Sequence, residues 1–342
     1  MARSSGSNRI TALDVAARAG VSQPTVSLVL SGNPRARVAA TTRERVLEAA
    51  KELGYEPNLL ARGLVLRRSY AIGLVISDVS NPFYLDVVRG AERVAADKGY
   101  AVLLCDCREI TADVHLQTLR TRQVDGVIID PSGAQSVSET LLAESNVIVI
   151  EEPSDRWLWV ASDAASAGRV AAEHLLALGH RLIGAIGPSA AAYGFRARER
   201  AFVQALRAAG VSLPSEWLRR APPTVGGGQH AMRALLAQGS RPTAVFCIND
   251  LVALGALKAC LTAGVKVPSE MSIMGCDDIE MARIVTPELT SVAVPAREIG
   301  ARAARLLLQR LEGKSDQRAP RPLPVRLVVR QTTSPPTPLP ES

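Results

Sequence analysis

The chain has 342 residues, 47% of them apolar and only 4% aromatic, and a formal charge of +7. That length admits two or three globular domains with aliphatic cores. No run of eighteen apolar residues occurs and the opening MARSSGSNR lacks an apolar signal segment, so neither a membrane span nor secretion is expected.

The charge is concentrated. Residues 1–69 hold eleven Arg/Lys and five Asp/Glu, a net of +6, which leaves the rest nearly neutral. This is the footprint of a small phosphate-binding module on a larger body. The five cysteines (Cys105, Cys107, Cys247, Cys260, Cys276) show no paired metal-ligand spacing and are expected to be reduced, as in a cytosolic protein.

Residues 1–9 read as a disordered basic tail. Ile10 to Gly32, ITALDVAARAGVSQPTVSLVLSG, reads as two short helices around a tight turn. Thr11 caps the first, Asp14 completes a capping box, and Leu13, Val15 and Ala16 form the inner face. Gly20 suits the turn. Ser22 caps a second helix with Pro24 in its first turn and Val26, Val29 and Leu30 along it. This is a helix-turn-helix, or else a capped helical hairpin of a larger fold; the local charge favours the former. Thr41 and Glu44 predict the start of a third helix, with Val46, Leu47, Ala50 and Leu53 inward. Tyr55 to Ser69, YEPNLLARGLVLRRS, holds about two helical turns, too short to be stable alone; it is a helix that forms on docking or a plain linker.

From Tyr70 the pattern changes to alternating strands and helices. Strands are expected at Ala71–Ile76, Ala101–Cys105, Val127–Asp130, Val147–Glu151, Leu182–Ile186, Ala244–Ile248, Ser272–Cys276 and Val325–Val329. Asn81-Pro82 starts a helix, and long helices cover Arg196–Ala209, Leu251–Ala263 and Pro295–Leu311. Near-continuous apolar strands imply parallel sheets covered on both faces. Two such series predict an α/β core of two doubly wound lobes with a ligand site in the cleft beyond the strand ends. The tail from Thr333 (TSPPTPLPES) is proline-rich and expected not to fold.

Taken together, LDVAARAGVSQPTVSLVLSG, ELGYEPNLLARGL, SNPFY, QVDGVII, EHLLALGH, FCINDLVALGAL and GCDDIEMARIVTPELTSV resemble the lactose/galactose repressor family of bacterial transcription regulators, from about Ile10 to Arg330. The resemblance implies a helix-turn-helix domain over 1–57, a hinge helix over 58–69 and a two-lobed periplasmic-binding-protein-like core over 70–330. Lobe 1 would comprise about 70–162 and 294–322, lobe 2 about 163–291 and 323–330, with 331–342 a disordered tail. It further implies a cytoplasmic homodimer, a pseudopalindromic double-stranded operator and a carbohydrate-like effector.

Residue by residue, Gln23, Pro24 and Leu28 fall on the family's base-reading positions. Gln23 suits adenine, whereas Leu28 offers only apolar contact such as a thymine methyl. Ser22, Thr25, Ser27, Ser31 and Asn58 complete the expected DNA contacts, the serines and threonine on phosphate or sugar. Leu64 falls on the hinge leucine that wedges into the minor groove; hinge packing is its alternative role. For the effector the resemblance marks Phe83, Tyr84, Arg198, Asn249 and Asp277, with Asp163, Glu152 and Ser80 as further candidates. Arg, Asn and Asp together suit a polyhydroxyl ligand. Phe83 equally suits the core, and the acidic residues equally suit helix starts, the role expected of Asp250 and Asp278. A solute-binding module with an incidental basic arm is the alternative function. No phosphate loop, GxSxG elbow or metal-ligand cluster occurs, and the four histidines are scattered. Hence no catalytic residue, metal, cofactor or enzyme activity is expected.

Overall fold

The computed structural model describes residues 10–30, 38–55, 68–133, 146–189, 192–314 and 321–337. The chain divides into two compact units, Met1–Ser69 and Tyr70–Ser342.

The first unit packs α1 (Ala12–Ala19), α2 (Gln23–Leu30) and α3 (Ala40–Leu53) around Val15, Ala16, Val26, Val29, Val46 and Ala50. The backbone N–H and the hydroxyl of Thr11 both donate to the Asp14 carboxylate, at 2.8 and 2.7 Å, and lower its pKa. Gly20 ends α1 at φ 65°, a left-handed conformation open to glycine. Two expectations fail here. Leu13 and Leu47 are 62% and 48% exposed. At ~100° per residue each lies about 110° round its helix from the buried stripe, so neither reaches the core. The Thr41–Glu44 cap does not form either, because α3 begins at Ala40 with Ala39 as its cap, which puts Thr41 inside the helix.

In the second unit β1 (Ala71–Ile76), α4 (Pro82–Ala96), β2 (Ala101–Asp106), α5 (Ala112–Thr121), β3 (Gly126–Ile129), β4 (Val147–Ile150) and β5 (Leu158–Val160) build the first lobe. Its strands are all parallel, in the order β2-β1-β3-β4-β5. The second lobe takes α6 (Ala164–Ala177), β6 (Ile183–Pro188), α7 (Tyr193–Ala208), β7 (Leu218–Ala221), α8 (Val225–Leu236), β8 (Ala244–Cys247), α9 (Asp250–Thr262), β9 (Ser272–Asp277), α10 (Met281–Ile284) and β10 (Thr290–Ala293). The chain then returns to the first lobe as α11 (Ala296–Leu311) and ends in β11 (Arg326–Val328). The second sheet is ordered β11-β10-β9-β8-β6-β7, parallel except for the β10–β11 pair. Two crossings run side by side, where Asp163 N donates to Leu323 O and Leu323 N to Ala161 O, each at 2.8 Å.

Close helix approach depends on glycine. A Cβ on Gly168 of α6 would stand 2.8 Å from the Arg198 carbonyl carbon of α7, closer than any real Cβ contact. This contact fixes the depth at which α7 lies against α6.

The end of the chain departs from expectation. Instead of failing to fold from Thr333, the segment through Thr337 packs on the second lobe, with Thr332 and Thr333 buried. Ile273 N donates to Thr332 O at 2.8 Å, Thr290 N donates to the Thr332 hydroxyl at 2.9 Å, and His180 Nε2 lies 2.9 Å from Ser334 O. The backbone carbonyls of Thr332 and Ser334 and the Thr332 hydroxyl, all ahead of the prolines, meet polar groups of the second lobe, which a count of prolines does not reveal.

Candidate functional site

In the first unit α2 turns Val26 and Val29 inward and leaves Gln23, Pro24, Ser27 and Leu28 exposed, Leu28 by 45%. Ser22 is exposed and Thr25 half-buried. Thr25 N donates to the Ser22 hydroxyl at 3.4 Å and the two hydroxyls are 2.9 Å apart, so this pair caps the helix start. Gln23 stands at the first position of the helix with nothing burying it. Ser31, Asn58 and Leu64 lie outside the described residues.

In the second unit, polar residues at or beyond the carboxyl ends of strands from both sheets converge. Arg198 on α7 is 3% exposed. Its Nη1 donates to Ile248 O at 2.5 Å and to Asp277 Oδ1 at 3.3 Å. Its guanidinium lies 5.7 Å from the Phe195 ring centre, over the face of the aromatic. Its Nε is buried and has no acceptor among the described residues. From the first lobe, Tyr84 donates its hydroxyl to the Asp130 carboxylate. Ser132 donates to the same carboxylate from its backbone N at 2.9 Å and its hydroxyl at 2.5 Å. Glu151, just past β4 at φ 58°, accepts from Ser162 N and Oγ at 2.7 and 2.9 Å. Phe83 packs edge-on against Tyr84 and shares a pocket of about 320 Å³ with Asp277 and Pro295.

Burial governs the electrostatics. It pushes the Asp277 carboxyl up to about 8, which Arg198 only partly opposes while Asp250 and Glu151 add to it. Burial also raises Glu151, against its bonds from Ser162 and the nearby Arg198 charge. Burial and Asp130 hold the Tyr84 phenol well above its ordinary value. Burial works against the Arg198 charge, but Cys276, Asp277 and Glu151 outweigh it and keep its pKa high.

The structure therefore links four of the candidates: Phe83 and Asp277 line one pocket, Arg198 pairs with Asp277, and Tyr84 packs against Phe83. The remaining candidates are engaged elsewhere. Asn249 is fully buried as the cap of α9, accepting from Val252 N at 3.0 Å and donating to Pro223 O at 3.3 Å. Asp163 caps α6 through Ser166 N at 2.9 Å. Ser80 is exposed and accepts from Arg108 Nη1 at 3.1 Å. Glu152 is half-buried beside Asp130 and Arg196, its pKa raised chiefly by burial. Asp250 opens α9 but accepts from Ser291 Oγ and Ile279 N, at 2.6 and 2.9 Å, and Asp278 pairs with Arg330 at 2.6 Å. Asp130, Ser132, Glu151 and Phe195 went unnoticed in the sequence. Asp130 and Glu151 close predicted strands at their carboxyl ends, one place short of where Asn249 and Asp277 stand relative to theirs, so strand-end position is the signal that could have found them.

Residues 11–58 match the profile of bacterial regulatory proteins of the lacI family, and residues 172–333 match the periplasmic binding protein-like domain. The transcriptional repressor CytR of Escherichia coli is 34% identical, over 94% of this chain and 96% of its own. The chain belongs to the lacI family. It is a DNA-binding transcriptional regulator of that family, with a helix-turn-helix unit ahead of a two-lobed core. The repressor PurR of Pasteurella multocida is 32% identical over 94% of this chain and 98% of its own. Among solved structures, the lac repressor dimer bound to operator and the anti-inducer ONPF superposes with a TM-score of 0.83 at 29% identity, covering 96% of this chain and all of the other. A lacI-family regulator from Enterococcus faecium with bound ribose gives 0.70 at 30% identity, over 78% and 99%. Among the described residues no helix is long and apolar enough to cross a membrane and no metal-binding cluster occurs.

Proposed function

We propose that this lacI-family protein is a repressor whose operator affinity is set by a neutral polyhydroxyl effector, a sugar or sugar derivative, held between the lobes. The buried Arg198 Nε, a donor with no acceptor among the described residues, carries this reading: a ligand oxygen satisfies it. Arg198 and Asp277 form a donor–acceptor fork from one lobe, while Tyr84, Asp130 and Ser132 answer from the other. The carboxyl groups of Asp130, Glu151 and Asp277 surround the one buried cation, Arg198, and offer hydrogen bonds suited to hydroxyls, with no cationic excess to hold a sugar acid or phosphosugar. The ribose bound by the Enterococcus faecium regulator and the cellobiose bound by the CelR regulator belong to this neutral class. Phe83 packs against the ligand. Asn249 and Asp163 act through the helices they cap, and Ser80 and Glu152 flank the entrance.

On DNA, Gln23 and Leu28 read base edges beside Pro24, and Ser22, Thr25, Ser27, Ser31 and Asn58 set the register on the backbone. The motif around Leu64 supports a minor-groove wedge. The protein acts as a cytoplasmic homodimer and not as an enzyme. The exposed Leu103 and Leu104 of edge strand β2, with Ile284 of α10, supply apolar surface for the partner copy.

Selection of bound duplexes from random DNA by the purified protein tests the first half. A two-fold symmetric motif is expected. Release of that duplex by neutral sugars, tested beside their acids and phosphates, checks the second. Release by the anionic forms alone would overturn the effector class while leaving the regulator intact.

A further inference from the structure

A second binding feature lies on the opposite face of α7 from Arg198. Beside edge strand β7, a groove of about 560 Å³ is lined by Arg196, Arg200, Arg207 and Arg220, with Glu199 and Ser189. The three α7 arginines recur at spacings of four and seven, which places them on one helix face. Arg220 reaches the same groove from β7. Glu199 is already taken, accepting from Arg220 Nη2 at 2.8 Å and from its Nη1. Arg200 and Arg207 have no carboxylate partner among the described residues. The groove is thus a concave surface with a large cationic excess and Ser189 at one end. Guanidinium forks match phosphoryl oxygens two at a time, and several converging on one concavity suit a dianionic group better than a lone carboxylate. The volume matches a small molecule, not a protein segment.

We infer that this groove is an accessory site for a phosphorylated small molecule, distinct from the effector cleft and of opposite charge preference. A sugar phosphate and a free nucleotide share the phosphoryl chemistry that the arginines recognise. The groove shares α7 with the cleft, and its Arg196 also lies near Glu152, but it uses neither Arg198 nor Asp277 and its binding rests on Arg200, Arg207 and Arg220.

Calorimetric titration of the full-length protein with inorganic pyrophosphate, at constant ionic strength, tests the inference. Saturable binding of one ligand per chain is expected, weakened at least tenfold in Arg200→Ala/Arg207→Ala. A decoy with the same loss of charge, Arg89→Ala/Arg93→Ala on α4, should bind as the wild type does. Both pairs are surface changes, and thermal unfolding checks that the variants fold; Arg207→Gln serves if the double variant does not. Ribose 5-phosphate and adenosine monophosphate then separate the sources, the tighter one naming the class. Unsaturable binding, equal loss in the decoy, or no binding by either organic phosphate would overturn the site.

Discussion

Arg198→Met removes a cation buried in the cleft and keeps most of the side-chain volume. Its cost depends on the proton of Asp277. With that carboxyl near 8, Asp277 is neutral at pH 6, so the substitution strands no charge there. What is lost is the pair of hydrogen bonds from Nη1 to Ile248 O and Asp277 Oδ1, and the contact with Phe195. Removing the unsatisfied Nε offsets part of this, which leaves a net loss of about 1–2 kcal/mol. At pH 9 the wild-type carboxylate is ionised against Arg198. In the variant it must keep its proton or stand unpaired, and the loss climbs to about 2.5–3.5 kcal/mol, the one pH unit above 8 adding about 1.4 kcal/mol. Above pH 8 the gap should widen about tenfold in the unfolding constant per pH unit. Urea unfolding at pH 6, 7.5 and 9 measures it. Titration with the sugar that releases the operator should show at least a ~100-fold weaker complex, equivalent to about 3 kcal/mol. An equal stability loss at pH 6 and 9 would refute the protonation assigned to Asp277, and an affinity within about threefold of wild type would remove Arg198 from the ligand.

Asp277→Asn tests the same proton from the other side. The folded carboxyl titrates near 8 against 3.8 when unfolded, so its contribution favours the folded state below pH 4 and fades as pH rises to 8. The variant should lose that part of the slope in a plot of Tm against pH. Gln23→Ala should weaken operator binding by about 1–3 kcal/mol and relax the base preference at one position in each half-site. An equal loss on every sequence would make Gln23 a backbone contact. Gly168→Ala drives a methyl into the Arg198 carbonyl and should destabilise the core by about 1–3 kcal/mol in urea unfolding. Leu104→Arg, on the exposed edge strand, should shift the dimer to monomer in sedimentation velocity without lowering Tm by more than ~1 kcal/mol equivalent.

The long elements were legible because periodicity and caps agreed on them. Asn81-Pro82 predicts a helix start, and Asn81 indeed accepts from Phe83 N at 3.1 Å ahead of Pro82. The two strands β5 and β7, at sheet edges, were not legible. β5 and β7 are only partly buried, β7 carries Arg219 and Arg220 in place of a continuous apolar run, and both hold their place by pairing with one neighbouring strand. The cleft was half legible. Arg198 and Asp277 carry a recognisable motif, but a motif does not report which polar atoms the fold consumes. Asn249 lies two residues beyond β8 much as Asp277 closes β9, yet its oxygen serves α9 and its nitrogen serves Pro223. Asp130 carries no motif, yet it gathers Tyr84 and Ser132.

The same geometry constrains how a ligand can change the molecule. Gly168 against the Arg198 carbonyl leaves α7 no room to slide on α6, so Arg198 moves with its lobe. The crossings between lobes carry few hydrogen bonds, such as Asp163 N to Leu323 O and Leu323 N to Ala161 O, and motion concentrates where such ties are sparse. A ligand held only by Arg198 and Asp277 would bind every lobe angle equally and shift nothing. One that also reaches Tyr84, Asp130 or Ser132 binds the closed angle better, and that difference is all the free energy available to act on the operator. An effector must therefore carry hydroxyls on two faces. A deoxy analogue lacking those on the Tyr84 side should still bind, more weakly, while failing to alter operator affinity.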